Sequence, residues 1–446
     1  MAIQSGTLLR AINEIPLCDT HEHLAREYDF IEKCTDVLIC FFNHYPNADL
    51  RSAGATDEAM TRLLDGQDSD IADRFAGVED AWQAIRNTGY GEAVLLAARK
   101  IYDIDEITPD SLAAAQPKHE ALLKEGERLR LLRDVAGLDH VQIDRQKRQC
   151  PPDRHGPEFF LADMGLSMFC RGEPDPAAFK RETDTELADL ASYRRGLETI
   201  FERNASLAIA LKSAHAYGRT LRWRKRSDAD AEAALKQWLA DPENCGWDAR
   251  LALGDWAWAR CAELSIEYNL PFKMHTGYNA GVNSMRMEWI DPSQTCDLFV
   301  EYPKARFVLM HASWPYQEQL IALTKHFTNV YADLCWAWSM GPATVAGFVR
   351  HYLHAAPANK LFAFGGDTDY AVMSVGYAMQ ARKWLAYALE TEVREGWIDE
   401  KRALQLARMV MRENQYACFD IEGRRKALQA VTAAGGPFLD DRPEAS

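Results

Sequence analysis

A chain of 446 residues, 47% hydrophobic and 26% charged, has the balance of a soluble globular protein large enough for one big barrel or for two domains. No uninterrupted apolar stretch approaches the ~20 residues of a membrane span. A formal charge of −15 offers no basic footprint for nucleic acid or an anionic membrane, so a small molecule is the expected partner, and oligomerisation is left open.

Ten cysteines without a Cys-X-X-Cys pair fit reduced thiols better than a disulfide framework or a structural zinc module. Met1 to Pro16 carries Arg10, Asn13 and Glu14 where a secretory leader needs an apolar core, which makes the cytoplasm the expected location.

In chain order, Leu17–Asp19 reads as a first buried strand. Residues 24–130 then read as helical and charged, broken at Asp65-Gly66 and Thr88-Gly89, and far longer than a normal connection. This is expected to be a helical insertion over the carboxyl ends of the strands, placed to act as a lid.

His140–Ile143 and Phe159–Met164 are the candidates for strands two and three. Leu207–Leu211, Pro271–Met274, Arg306–Met310, Val330–Leu334 and Leu361–Phe364 complete eight apolar runs, each followed by an amphipathic stretch. The fold class is therefore α/β, a (β/α)8 TIM barrel forming one domain over residues 1–446. A doubly wound sheet would place a Gly-rich phosphate turn after its first strand, and none follows Leu17–His23. Residues 431–446, with Gly435, Gly436, Pro437 and Pro443, read as a poorly ordered tail.

The chemistry starts at Asp19-Thr20-His21-Glu22-His23. Strand alternation puts His21 and His23 on one face with Glu22 opposite, and two neutral imidazoles so spaced can share one zinc, manganese or iron ion. His275 and His311 each follow a short apolar run, so four histidines stand at expected strand ends. Asp367 follows Leu361–Gly366 and brings a carboxylate to the same rim, where it can ligate a metal and accept a proton from a metal-bound water. Asp369 is the competing choice, with capping of the next helix as its other role.

The ordered set of His-X-His, two later histidines and a final aspartate resembles the amidohydrolase superfamily over nearly the whole chain. The wording of Leu17–His23 and His311–Tyr316 is most similar to the amidohydrolase-2 branch, which includes decarboxylases and relatives of uronate isomerase. The resemblance implies that His21, His23, His275 and Asp367 serve the metal, while His311 is a ligand or a catalytic partner. It also implies one or two divalent ions, Zn2+ first and Mn2+ as the alternative.

Lys212 ends the expected fourth strand. In binuclear members resembling phosphotriesterase the matching lysine is carboxylated and bridges two metals. Pairing of Lys212 with an acidic residue, or with a substrate carboxylate, stays open beside that role.

After Lys212 comes a basic island in which Arg219 and Arg222 offer planar forks for a substrate carboxylate, while Arg224–Arg226 read as a solvated face. Tyr217, Tyr278, Trp314, Tyr316, Trp336 and Trp338 are candidates for aromatic pocket walls, and Asp333 for a hydrogen-bonded structural carboxylate. Cys18 and Cys335 read as core packing, and no Gly-X-Ser-X-Gly turn supports nucleophilic serine catalysis. The expectation is hydrolysis of an amide or ester of a carboxylate-bearing substrate by a metal-activated water. A decarboxylase or uronate-isomerase-like enzyme on the same site is the alternative.

Overall fold

The computed structural model describes residues 7–281 and 284–439. Eight strands form one parallel sheet in sequential order among the described residues: β1 (Leu17–Glu22), β2 (Leu138–Ile143), β3 (Phe160–Gly165), β4 (Ala210–Ser213), β5 (Phe272–Met274), β6 (Phe307–Leu309), β7 (Val330–Asp333) and β8 (Leu361–Phe362). The ring closes where Thr20 N donates to Phe364 O and Asp367 N donates to His21 O. The protein is a (β/α)8 TIM barrel.

All eight expected runs carry a strand, and the limits tighten most at the start of β4 and the end of β8. β4 begins at Ala210 because the amides of Leu207 and Ala208 still donate to Asn204 O, closing the preceding helix. β8 stops at Phe362 because Ala363 N turns out of the sheet to donate to Val410 O.

Between β1 and β2 the chain is helical from Glu27 to Val135. Several of its helices start on side-chain caps: Thr56 accepts from Ala59 N, Thr88 from Gly91 N, and Thr108 forms a reciprocal box with Ser111. Gly89–Tyr102 packs against the long helix Ala371–Arg394, where Gly376 allows the approach: a Cβ there would meet Ala93 O at 2.4 Å. The insertion thus shares the barrel's core. At the other end of the chain, the helix Ile421–Ala433 runs past the expected start of the tail, and Leu439 N donates to Pro152 O. The remainder of that tail, residues 440–446, lies outside the described residues.

Candidate metal centre

Left-handed backbone recurs at the carboxyl rim, and two of these turns carry candidate site residues. His311, Ala312 and Ser313 after β6 have φ of 64°, 49° and 48°, and Asp367 after β8 has φ 55°. Left-handed backbone at non-glycine residues costs about 1–3 kcal/mol each and persists only where surroundings enforce it. Glu22 is one enforcer: on the far side of β1 from His21, it accepts from Thr368 N at 2.6 Å and Ser374 Oγ at 2.5 Å. Gly366 is required beside it, since a Cβ there would lie 2.1 Å from Glu22 Oε1.

These turns bring the expected residues together. Asp367 Oδ1 lies 3.2 Å from His21 Nε2 and 3.4 Å from His23 Nε2, and Asp367 Oδ2 lies 3.8 Å from His311 Nδ1. His311 Nε2 and His275 Nδ1 are 2.8 Å apart. Lys212 Nζ stands 3.3 Å from His21 Nε2 and 3.9 Å from Asp144 Oδ2. All but His23 are buried.

Burial lowers the imidazoles of His21 and His275, and pushes His311 down to about 3, so these rings are neutral at pH 7. Burial opposes ionisation of Asp367, but His21, His311 and His23 outweigh it and hold the carboxyl well below its ordinary range.

Three of the four rings place one nitrogen against a backbone carbonyl: His23 Nδ1 on Asp144 O and His275 Nε2 on Tyr278 O, both at 2.9 Å, and His311 Nδ1 on Cys335 O at 3.2 Å. A carbonyl only accepts, so a ring in its neutral form keeps its proton there and turns the lone pair of the other nitrogen inward. The lone pairs of His275 and His311, 2.8 Å apart, then repel unless a cation sits against both. The donor set fits a divalent metal.

Around this centre stand aromatic walls. The Tyr217 ring is 4.7 Å from His275, with its hydroxyl accepting from Ala280 N. Tyr278 lies 5.2 Å from Trp314 and 5.9 Å from Trp336, which itself edges His311 at 5.4 Å. Trp338 points elsewhere, donating to Ala363 O. Tyr316 OH donates to Met287 O. Tyr278 also borders a cavity of about 690 Å³, walled further by Asp49, Arg51, Asn279 and Met285.

Two expectations need correction. Arg219 is buried and committed: its guanidinium donates to Asp255 Oδ1 at 2.6 Å and to the carbonyls of Thr220, Cys170 and Arg222. Arg222 offers its own carbonyl to that network and leaves its side chain exposed, so the two do not form a carboxylate clamp. Arg224–Arg226 lie in coil, with Arg226 also on Asp255 and Lys225 on Glu301. Asp369 neither joins the centre nor caps: it pairs with His44 Nε2 at 3.5 Å, and the helix Ala371–Arg394 starts after Tyr370 without a side-chain cap. Asp333 does accept from Cys335 N, and burial raises its carboxyl to about 7. Burial, then Asp367, push the Cys335 thiol well up, which keeps it protonated beside the imidazoles.

Residues absent from the sequence reading also reach the site. Asp144, at the end of β2, offers its carbonyl to His23 and its carboxylate to Lys212. His44 and Tyr45 arrive from the insertion, Tyr45 stacking on Trp336 at 4.4 Å. Asp163 and Lys273 lie inside the barrel beneath His21. The signal for those two was a charge inside an apolar strand, with Lys273 at the strand position two before His275.

Residues 175–414, more than half of the chain, match the family model described as Amidohydrolase. The chain belongs to that family and is an enzyme of the amidohydrolase superfamily, whose metal-dependent members imply a divalent cation. Its fold is similar to that of uronate isomerase from Thermotoga maritima, with a TM-score of 0.76 at 15% identity over 92% of this chain and 96% of that one. A Lactobacillus casei protein provisionally described as a metal-dependent hydrolase aligns with a TM-score of 0.63 at 18% identity, over 94% of this chain and 98% of the other. Among curated sequences, Protein fluG of Emericella nidulans is 24% identical over 221 residues, 45% of this chain. The match spans only 24% of that relative's length.

Proposed function

We propose that the chain is a metal-dependent hydrolase of amides or esters in which His21, His23, His275 and Asp367 hold a divalent cation, Zn2+ first and Mn2+ as the alternative. The observation that carries this reading is the convergence of neutral imidazole lone pairs around one buried carboxylate at the carboxyl ends of β1, β5, β6 and β8. A cation bound there supplies Lewis acidity and brings the pKa of water towards neutrality. Asp367 takes the proton of the attacking water and delivers it to the leaving group. His311, fixed by Cys335 O, ligates or polarises the scissile carbonyl. Tyr217, Tyr278 and Trp314 wall the substrate, which enters past the cavity beside Tyr278. With Arg219 committed to Asp255, a substrate carboxylate would not find the fork expected for it, and the neutral part of the substrate carries recognition.

Lys212 supports a second reading. Paired as an unmodified amine with Asp144 Oδ2, 3.9 Å away, Lys212 would leave a one-cation centre, on which decarboxylation or isomerisation of a small acid stays in play. Reaction of the metal-replete enzyme in 18O-labelled water with a panel of amides and esters separates the two. Hydrolysis places one labelled oxygen in the acyl product, and Asp367→Asn lowers its rate by roughly 10²–10⁴-fold. Turnover of small carboxylic acids without label, and none of amides or esters, would replace hydrolysis by the second reading.

A further inference from the structure

Each candidate metal-binding histidine turns one nitrogen inward, and in His23, His275 and His311 the other rests on a backbone carbonyl. His21 departs from that pattern. Its Nε2 faces Asp367 and Lys212, but its Nδ1 is buried and without a hydrogen-bond partner among the described residues. Asp163 Oδ2, from β3, stands 3.7 Å from it, a few tenths of an ångström beyond hydrogen-bond reach.

Asp163 is itself held. Lys273 Nζ, from β5, lies 2.5 Å from Asp163 Oδ2 as an ion pair, and it donates to Thr20 O at 2.7 Å and Gln142 Oε1 at 3.0 Å. The ammonium is thus held by groups from three different strands, two hydrogen bonds and one ion pair, while the Asp163 oxygens themselves have no hydrogen-bond partner among the described residues. Thr20, His21, Gln142 and Lys273 are fully buried and Asp163 is 2% exposed, so neither charge has water to lean on.

We propose that Asp163 and Lys273 are positioning residues for the metal centre: Asp163 takes the Nδ1 proton of His21 and so reserves Nε2 for the cation, while Lys273 fixes Asp163 in register with β1. The pair does for His21 what a backbone carbonyl does for the other three rings, with the added charge that makes an imidazole a stronger ligand. It touches neither substrate nor metal. The inference rests on the metal-centre reading above.

The test is metal affinity, measured by competition against a coloured chelator with Zn2+, on the full chain. Asp163→Asn alone strands a buried ammonium and threatens the fold, so the decisive variant is the neutral pair Asp163→Asn with Lys273→Gln. This pair is expected to melt as a single cooperative unit with native far-ultraviolet circular dichroism, yet to bind Zn2+ roughly 10–100-fold more weakly. Asp163→Glu is expected to recover part of the loss. Native affinity in the neutral pair would overturn the proposal and leave the two residues a purely structural ion pair. His21→Ala run alongside separates the failures. If it too keeps native affinity, the metal-centre reading is wrong and the proposal goes with it; if it loses the metal while the neutral pair keeps it, only the positioning role is wrong.

Discussion

Two buried clusters of imidazole, carboxylate and thiol occupy opposite ends of the barrel. At the carboxyl rim stand His21, His23 and Asp144 beside His311, Cys335 and Asp367; at the amino end of β1 and β2 stand Cys18, Asp139 and His140. In each triplet the ligand atoms lie within 4.8 Å of one another, so residue type and proximity do not tell them apart. Partners do. Asp139 accepts from His140 Nδ1, Tyr416 OH, Arg412 Nε and Arg425 Nη2 at 2.9–3.2 Å. Burial alone would raise its carboxyl, but His140, Tyr416 and Arg425 hold it well below the ordinary range. Asp367 meets the imidazole Nε2 atoms of His21 and His23 instead, which in the proposed tautomers have lone pairs to give. The lower cluster is an electrostatic clasp between the barrel floor and the C-terminal helices, and the upper one is the proposed ligand set.

The largest effect that could break this contrast is in metal content. His21→Ala is expected to retain less than roughly a tenth of the wild-type divalent metal after dialysis, because a lost ligand in a four-residue set costs several kcal/mol of binding. Asp139→Asn is expected to retain all of it. Elemental analysis of the two purified variants decides the matter, and loss of metal from Asp139→Asn with retention in His21→Ala would exchange the roles of the two ends.

Stability should respond in the opposite sense. Arg219→Met removes one of the two arginine partners of a buried Asp255, leaving it Arg226, and is expected to cost about 3 kcal/mol, read from the urea midpoint, with metal content unchanged.

Asp139→Asn comes next, at about 2 kcal/mol, because a carboxylate that keeps some contact with water is worth less than a sealed one. Its pH dependence has a definite sign. The folded carboxyl is depressed relative to an unfolded value near ~4, so the stabilisation is complete above that value and is lost as pH falls below it. The gap between wild type and Asp139→Asn should therefore be widest near neutrality and narrow below about pH 4. A gap that stayed constant down to pH 3 would mean that the clasp contributes through packing rather than charge.

How much of this was written in the sequence differs between the two clusters for the same physical reason. The barrel was legible because buried parallel strands are short, uninterrupted apolar runs, and the rim residues were legible because each follows such a run within three residues: His21, Lys212, His275, His311 and Asp367. Residues that act across strands left no linear trace. Asp163 and Lys273 meet only when β3 and β5 are placed in one ring, and Asp139 finds Arg412 and Arg425 only once the last helices fold under the barrel floor. His44 and Tyr45 sit in a helical stretch whose position over the rim could be argued, but not the turn that would reach Trp336. The basic island misled for a related reason: the arginines were visible, whereas their partner Asp255 lies 36 residues beyond Arg219 in the middle of the helix Trp247–Glu267.

That last case supplies the smallest and sharpest test. Arg222 shares the island with Arg219, and on sequence grounds the two are interchangeable candidates for gripping a substrate acid. In the fold its backbone is used, the carbonyl by Arg219 Nη2 at 2.9 Å and the amide on Thr220 Oγ1 at 3.2 Å, while the side chain is exposed. Arg222→Ala keeps that carbonyl. It is expected to change stability by no more than about 0.5 kcal/mol and to leave metal content and KM for any substrate as they are. A several-fold rise in KM confined to acidic substrates would restore Arg222 to the binding site and, with it, the carboxylate-bearing substrate; an unchanged KM in Arg222→Ala beside a destabilised Arg219→Met would show that neighbouring arginines divide between solvent and scaffold according to where one aspartate lies.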